Sequence, residues 1–323
     1  MNRRPSRANS VLVAFVGVLV VASCASSTPD ATKPGANAST STSSASEQPT
    51  TTTGPTAGRP FAFTRVQLDL VDTTRAAGTK GTATYSAQRD LPTDLYLPTR
   101  SPSGAPRPLI MFSHGNKGNP NKFTELFEHW AAAGYIVAAP RFPRTSNVDP
   151  YEFLDYPLQP GDISFVLTEL LKGEHSEAID KNRIAAAGLS LGGGTTYALT
   201  YNPCCLDSRF RAAAIFDGLR FQFDKPFGVN KVPVLIVHID PDAVLPYSTA
   251  VDSYKASASP KFLVTLISGL HAEPFEDTPS IHDETTMKVT TDFFDLTLLD
   301  DTTARERLLA DGNVPKEATT IAG

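Results

Sequence analysis

Cysteine is scarce in this chain: three in 323 residues, at Cys24, Cys204 and Cys205. No C-x-x-C pair and no paired His lie near them, which argues against a structural zinc site. Cys204 and Cys205 are neighbours, and Cys24 has its own reading below. The intrachain disulfide left open is therefore one between adjacent residues, with two free thiols as the alternative. An excess of basic charge is also missing. Lys and Arg total 29 against 34 Asp and Glu, a net charge of −5, which argues against nucleic acid as a partner. The apolar run Val11 to Val21 falls short of the roughly 20 residues a membrane span needs. From Ala25 to Pro60 large apolar residues are almost wholly lacking. Such a stretch cannot bury enough surface to offset its chain entropy, and it reads as a disordered tether. No internal repeat is found.

Arg3, Arg4 and Arg7 precede the Val11–Val21 run, the layout of an export signal. The run ends in Val21-Ala22-Ser23-Cys24, which resembles a bacterial lipobox. The resemblance implies that Cys24 takes a diacylglycerol, becomes the mature N-terminus and anchors the chain to the outer face of the cytoplasmic membrane. The expected organisation is a signal over 1–23, a tether over 24–60 and a folded domain over 61–323.

Within that domain, Thr64 to Val71 alternates in polarity and reads as an antiparallel edge strand. Asp94 to Pro98 reads as a second strand. Pro108 to Phe112 is a continuous apolar run, the mark of a strand buried on both faces. A helix follows over Lys122 to Ala133, closed by Gly134, then a strand over Tyr135 to Ala139 and a helix over Asp162 to Leu171. Further strands are expected at Arg183–Ala187, Ala212–Phe216, Val234–Val237 and Phe262–Ile267. Helices are expected at Asp283–Leu298 and Thr303–Leu309. This alternation predicts an α/β fold with a mainly parallel central sheet flanked by helices. Its site belongs at the carboxyl ends of the strands.

One motif stands there. Gly188-Leu189-Ser190-Leu191-Gly192 joins the strand ending at Ala187 to a helix expected to start near Thr195. Strand, tight turn with a central Ser, helix: this is the pattern of a nucleophile elbow. The turn strains the Ser backbone and demands small residues two before and two after, here both Gly. A Ser hydroxyl needs a base, normally a His oriented by a carboxylate. His271 follows the last strand and is the leading candidate, with His282 as runner-up. His129 falls on a helix as a surface residue, and His175 falls in a polar loop. His114 and His238 flank strand ends, where shaping loops by hydrogen bonds is the favoured reading. For the acid, Asp242 and Asp217 both follow strands from whose ends the His can be reached. Pro241 is expected to end the strand carrying Asp240. A metal set of His238, Asp240 and Asp242 is the lesser option, and neither metal nor cofactor is expected. The oxyanion donors expected are the Leu191 amide and that of Asn116, with Gly115 as alternative.

These residues resemble the α/β-hydrolase superfamily over the folded part. Phe112-Ser113-His114-Gly115 with Gly134-Tyr135-Ile136-Val137-Ala138-Ala139 is similar to the group of dienelactone hydrolases, platelet-activating-factor acetylhydrolases and cutinase-like polyester hydrolases. His238, Asp242 and Pro246 keep the spacing of that group's acid segment, with Ile239 where Gly is usual, so the resemblance favours Asp242 as the acid and leaves Asp217 as the alternative. Asp217 stands where the acetylhydrolase branch has its acid. Ser190 departs from the Cys nucleophile of dienelactone hydrolases proper. The resemblance implies carboxylic-ester hydrolysis through a covalent acyl-enzyme without a cofactor. The stretch from Gly218 to Lys231 is too short for a helical lid, which suits bulky or lipid-like esters. Phe221, Phe223 and Phe227 in it either line an acyl groove or pack the loop onto the core. Acyl transfer by the same residues, or a surface lipoprotein on a silent hydrolase scaffold, are the alternative functions.

Overall fold

The computed structural model describes residues 61–78, 86–99, 104–221, 223, 227–228 and 232–323. The export signal, Cys24 and the tether lie outside the described residues. β1 (Phe63–Asp72) and β2 (Arg89–Pro98) form a long antiparallel pair running from Phe63 opposite Pro98 to Asp72 opposite Arg89. After them come β3 (Arg107–Ser113), α1 (Thr124–Ala132), β4 (Ile136–Pro140), α2 (Gln159–Leu170), β5 (Ile179–Leu189), α3 (Leu191–Tyr201) and β6 (Ala212–Phe216). The chain continues through β7 (Val234–Asp240), α4 (Ser248–Ala256), β8 (Lys261–Ile267), α5 (Asp283–Leu298), α6 (Ala304–Asp311) and β9 (Ala318–Ala322). The strands make one sheet ordered β1-β2-β4-β3-β5-β6-β7-β8-β9. The pairs from β4 to β8 are parallel, and β1, β2 and β9 pair antiparallel.

The continuous apolar runs of the sequence are explained by helices on both faces. In β3, Ile110 and Phe112 point to the side covered by α1 and α5, while Leu109 and Met111 meet Ile163, Val166 and Leu167 of α2. Adjacent residues of a strand face opposite ways, so both sets must be apolar. On the α1 side, Trp130 is fully buried and its Nε1–H donates to Thr290 Oγ1 of α5 at 3.0 Å. Toward β7 and β8, Tyr197 and Tyr201 of α3 and Ala250 of α4 pack on Ile215, Val234 and Ile236. α3 is buried along its whole length, and it carries the glycine-rich motif at its start. Cys204 and Cys205, just past its end, form the vicinal disulfide.

Several boundaries differ from the sequence reading. β2 begins at Arg89 rather than near Asp94. The polar start of that segment reads as loop because the partners of Arg89 are distant in sequence. The guanidinium is wholly buried and donates to both oxygens of Asp162 (2.6 and 2.7 Å) and both of Asp155 (3.1 and 2.7 Å). α3 begins directly after Ser190, so Gly192 to Gly194 lie inside its first turns. α4 and β9 were not anticipated. α4 has only Ala250 and Ser253 buried, and β9 is an alternating five-residue strand whose pairing with β8 needs no apolar run. Three acids, Asp292, Asp295 and Asp301, converge on Arg307 and tie α5 to α6.

Removing the charge of Arg89 leaves Asp155 and Asp162 as buried carboxylates with too few donors. Arg89→Met should therefore destabilise the fold by about 3–5 kcal/mol. Guanidinium unfolding followed by the fluorescence of Trp130, the single tryptophan, measures this. A loss below about 1 kcal/mol would contradict it.

Candidate active site

β5 runs straight into the turn that carries Ser190. The Ser190 backbone has φ 54° and ψ −113°, a left-handed value that costs a non-glycine residue roughly 1–3 kcal/mol. The neighbours show what holds it. A Cβ on Gly192 would overlap the Ser113 carbonyl, and one on Gly188 would overlap the Gly192 carbonyl. The first turn of α3 thus lies directly against the end of β3, an approach open only to glycine. Ser190 N–H donates to Phe216 O (2.8 Å), binding the turn to β6. Ser190 is half-buried, at the start of a helix whose unpaired amides face the site.

The segment after β3 packs on this turn. A Cβ on Gly115 would lie 3.5 Å from both Ser190 Cβ and Leu189 O. His114 fixes that segment from beneath. Its Nδ1–H donates to Gly115 O at 2.8 Å, and its Nε2 accepts from Phe142 N–H at 3.3 Å. Burial pushes its pKa down to about 4, so the ring is neutral at ordinary pH. Asn116 is exposed, and its Oδ1 accepts from Tyr151 Oη–H at 2.8 Å. Leu191 directly follows Ser190, and Asn116 follows Gly115 in the segment packed on the turn.

His271 lies in the loop after β8, where Ser268, Gly269 and Ala272 all have positive φ. Its Nδ1 is 2.6 Å from Asp242 Oδ2. Its Nε2 is buried with no hydrogen-bond partner. Asp242 Oδ1 is held by the amides of Val244 (2.7 Å) and Leu245 (3.2 Å), which leaves Oδ2 for the imidazole. Burial alone would raise the Asp242 pKa, but the His271 hydrogen bond and the Val244 amide outweigh it and hold it below the usual range. Burial alone would lower His271, but the bond to Asp242 and the charge of Asp217 prevail and raise it. Asp217 is buried at the end of β6, with Oδ2 3.8 Å from His271 Nδ1. The structure therefore brings together His271 with both candidate acids, Asp242 in contact and Asp217 one step back.

The remaining histidines sort themselves. His282 Nε2–H donates to Ser268 O at 2.6 Å and so shapes the His271 loop. His238 Nε2–H donates to Leu245 O at 3.1 Å and steadies the Asp242 loop. His129 is half-buried rather than on the surface, with Nε2 3.0 Å from Thr291 Oγ1 between α1 and α5. His175 pairs with Glu174 in its loop. β7 ends at Asp240, which is exposed. Among the described residues, the donor atoms that lie close enough to hold a cation belong to Asp217, Asp242 and His271. A cation there would have to displace the short Asp242–His271 bond. Beside the turn, the Phe221 ring rests on Gly194, with Tyr156 5.6 Å away and Phe223 packed between Tyr156 and Phe227. Phe223 is buried. That ring packs the loop onto the core, while Phe221 stays half-buried. Tyr156 was missed in the sequence, where nothing relates it to Phe221.

The sheet order, the strained Ser after β5, the acid after β7 and the His after β8 decide the architecture. This is an α/β-hydrolase fold. Comparison with known proteins agrees with it. A family model described as Chlorophyllase matches residues 67–218, just under half of the chain. The match takes in Ser190 and Asp217 and ends before Asp242 and His271. The uncharacterized protein YfhR of Escherichia coli O157:H7 is 22% identical over 193 residues, 52% of this chain and 64% of the relative. YfhR of Escherichia coli strain K12 matches to the same extent. The chain thus spans somewhat under two thirds of the length of these curated relatives.

If the glycine contact sets the turn, adding one methyl should displace Ser190 by about an ångström. Gly192→Ala should then lower kcat on a p-nitrophenyl ester by roughly 10²-fold or more. Circular dichroism separates a folded variant from an unfolded one. A folded Gly192→Ala with full activity would contradict the contact.

Proposed function

We propose that the protein is an exported, lipid-anchored serine hydrolase of carboxylic esters. The observation that carries this reading is Ser190 on its strained turn, together with the 2.6 Å His271–Asp242 pair on the neighbouring strand ends. The match to the Chlorophyllase model supports an ester hydrolase of α/β-hydrolase type.

In this reading His271 Nε2 takes the Ser190 proton as Oγ attacks the ester carbonyl. Asp242 holds the Nδ1–H and stabilises the imidazolium that forms. The amides of Leu191 and Asn116, with Gly115 as the alternative, receive the oxyanion at the positive end of α3. His271 then returns its proton to the leaving alkoxide, and water repeats the sequence on the acyl-enzyme. The ester is hydrophobic or lipid-like, since the half-buried Phe221 and Tyr156 stand beside the turn. Cys24 carries the lipid that holds the domain at the membrane. Among the described residues no helix is long and apolar enough to cross a membrane.

Labelling by a fluorophosphonate probe should occur in the wild type and vanish in Ser190→Ala, with ester turnover falling roughly 10⁴-fold or more. An unlabelled wild type would refute the serine mechanism. Hydrolysis across short to long acyl esters and a polyester, with an alcohol acceptor added in parallel, reads the substrate class. Dominant transfer to the alcohol would replace hydrolase by acyltransferase. Intact-mass measurement of the membrane-extracted protein should show a diacylglycerol on Cys24; an unlipidated N-terminus would refute the anchor.

Activity also carries a pH signature. kcat/KM requires neutral His271, whose pKa is raised in the folded enzyme. The acidic limb should therefore fall above the ordinary imidazole value of about 6.5. A limb below that value would contradict the pairing with Asp242.

A further inference from the structure

The carboxylate left unused by this mechanism is Asp217. It is fully buried and has φ 39°, left-handed for a non-glycine residue. One oxygen, Oδ1, accepts the Ile239 amide at 2.8 Å and ties the end of β6 to β7. The other, Oδ2, is buried without a well-formed hydrogen bond and lies 3.8 Å from His271 Nδ1. A residue needed only for the strand tie requires one acceptor, and a neutral amide supplies that without a buried acid. The second oxygen is the unexplained part.

We propose that Asp217 is a second positioning acid for His271, placed to accept the Nδ1–H when Asp242 does not. This rests on the reading of His271 as the base. A ring shift of about 1 Å would bring Nδ1 into hydrogen-bond distance of Oδ2. The groups facing Asp217 are His238 of β7, with Nδ1 3.5 Å from Oδ1, Asp242 of the following loop, and His271. Two ionised carboxylates beside one neutral imidazole repel each other. Burial, with the Asp242 charge added, raises the Asp217 pKa to about 7 against the amides of Ile239 and Ala272 and the charge of His271. Asp242 is thus the acid in use, and Asp217 stands by, holding its proton more tightly than an ordinary carboxyl. Once Asp242 is neutral, that repulsion is gone and Asp217 ionises more readily.

The test is a cycle of Asp242→Asn, Asp217→Asn and the double variant, assayed on p-nitrophenyl butyrate across the pH range. Asp242→Asn should retain activity within roughly 10²-fold of wild type, and the double variant should lose roughly 10⁴-fold, the scale of a missing orienting acid. Asp217→Asn alone should move the acidic limb of kcat/KM to lower pH, because its charge no longer supports the imidazolium. Equal losses in Asp242→Asn and the double variant would overturn the proposal. If Asp217→Asn fails to fold, the downfield Nδ1–H proton resonance of His271 in Asp242→Asn decides: its persistence supports the second acid, and its loss overturns it. An inactive wild type would instead sink the hydrolase reading itself.

Discussion

The site depends on one close approach: the first turn of α3 pressed against the Ser113 carbonyl at the end of β3. No side chain fits there, so Gly188 and Gly192 are dictated by contact. The approach does three things together. It holds Ser190 at a backbone angle it would otherwise leave. It brings the positive end of a buried helix to the place where an anion would form. It also sets the Gly115 segment against the same turn, so two chain segments meet at one hydroxyl. The hydrogen bonds of His114, and the one that Ser190 N–H donates to Phe216 O, then hold this contact in place from β4's side and from β6.

Charge is handled differently in the two buried polar clusters. Near α2, Asp155 and Asp162 face Arg89, with Arg75 reaching Asp162 at 2.9 Å. Every acid there, Asp72 at 2.6 Å from Arg75 included, faces a guanidinium, and the geometry saturates the Arg89 fork. Around His271, two acids share one imidazole, which in the proposed hydrolysis is neutral for part of the cycle. The imbalance is met by giving Asp242 two backbone donors and an imidazole, and by raising the pKa of Asp217. The first cluster belongs to stability, and the second to a group that must change its charge.

Much of this was legible in the sequence, for physical reasons. The central strands are buried on both faces, so their apolar runs stand out, and the glycine pattern around Ser190 reflects a contact no other residue permits. The meeting of His271 and Asp242 was readable because both follow strands at the carboxyl edge, and the resemblance of the His238–Pro246 spacing to a family segment favoured Asp242 over Asp217. What stayed hidden rests on distant partners. Arg89 is a strand residue only because Asp155 and Asp162 come to it from some seventy positions away. Tyr156 meets Phe221 only after the sheet is assembled. α4 covers little apolar surface and gives weak periodicity, and β9 takes its order from β8. His129 looked like a surface residue because its partner, Thr291, lies on a helix far along the chain.

β9 reaches further than its five residues. It pairs along β8 from Phe262 to Leu266, and Gly323 and Lys261 exchange backbone hydrogen bonds at its end. β8 is the strand from which the His271 loop springs. Without β9 that strand would be the rim of the sheet, with a row of free amides and carbonyls open to pairing with another chain. The short cover, alternating buried and exposed residues with Thr319 and Ile321 facing outward, moves the rim one strand away from the base. Self-association through the edge would then engage β9 first, leaving the loop that carries His271 inside the sheet's own boundary.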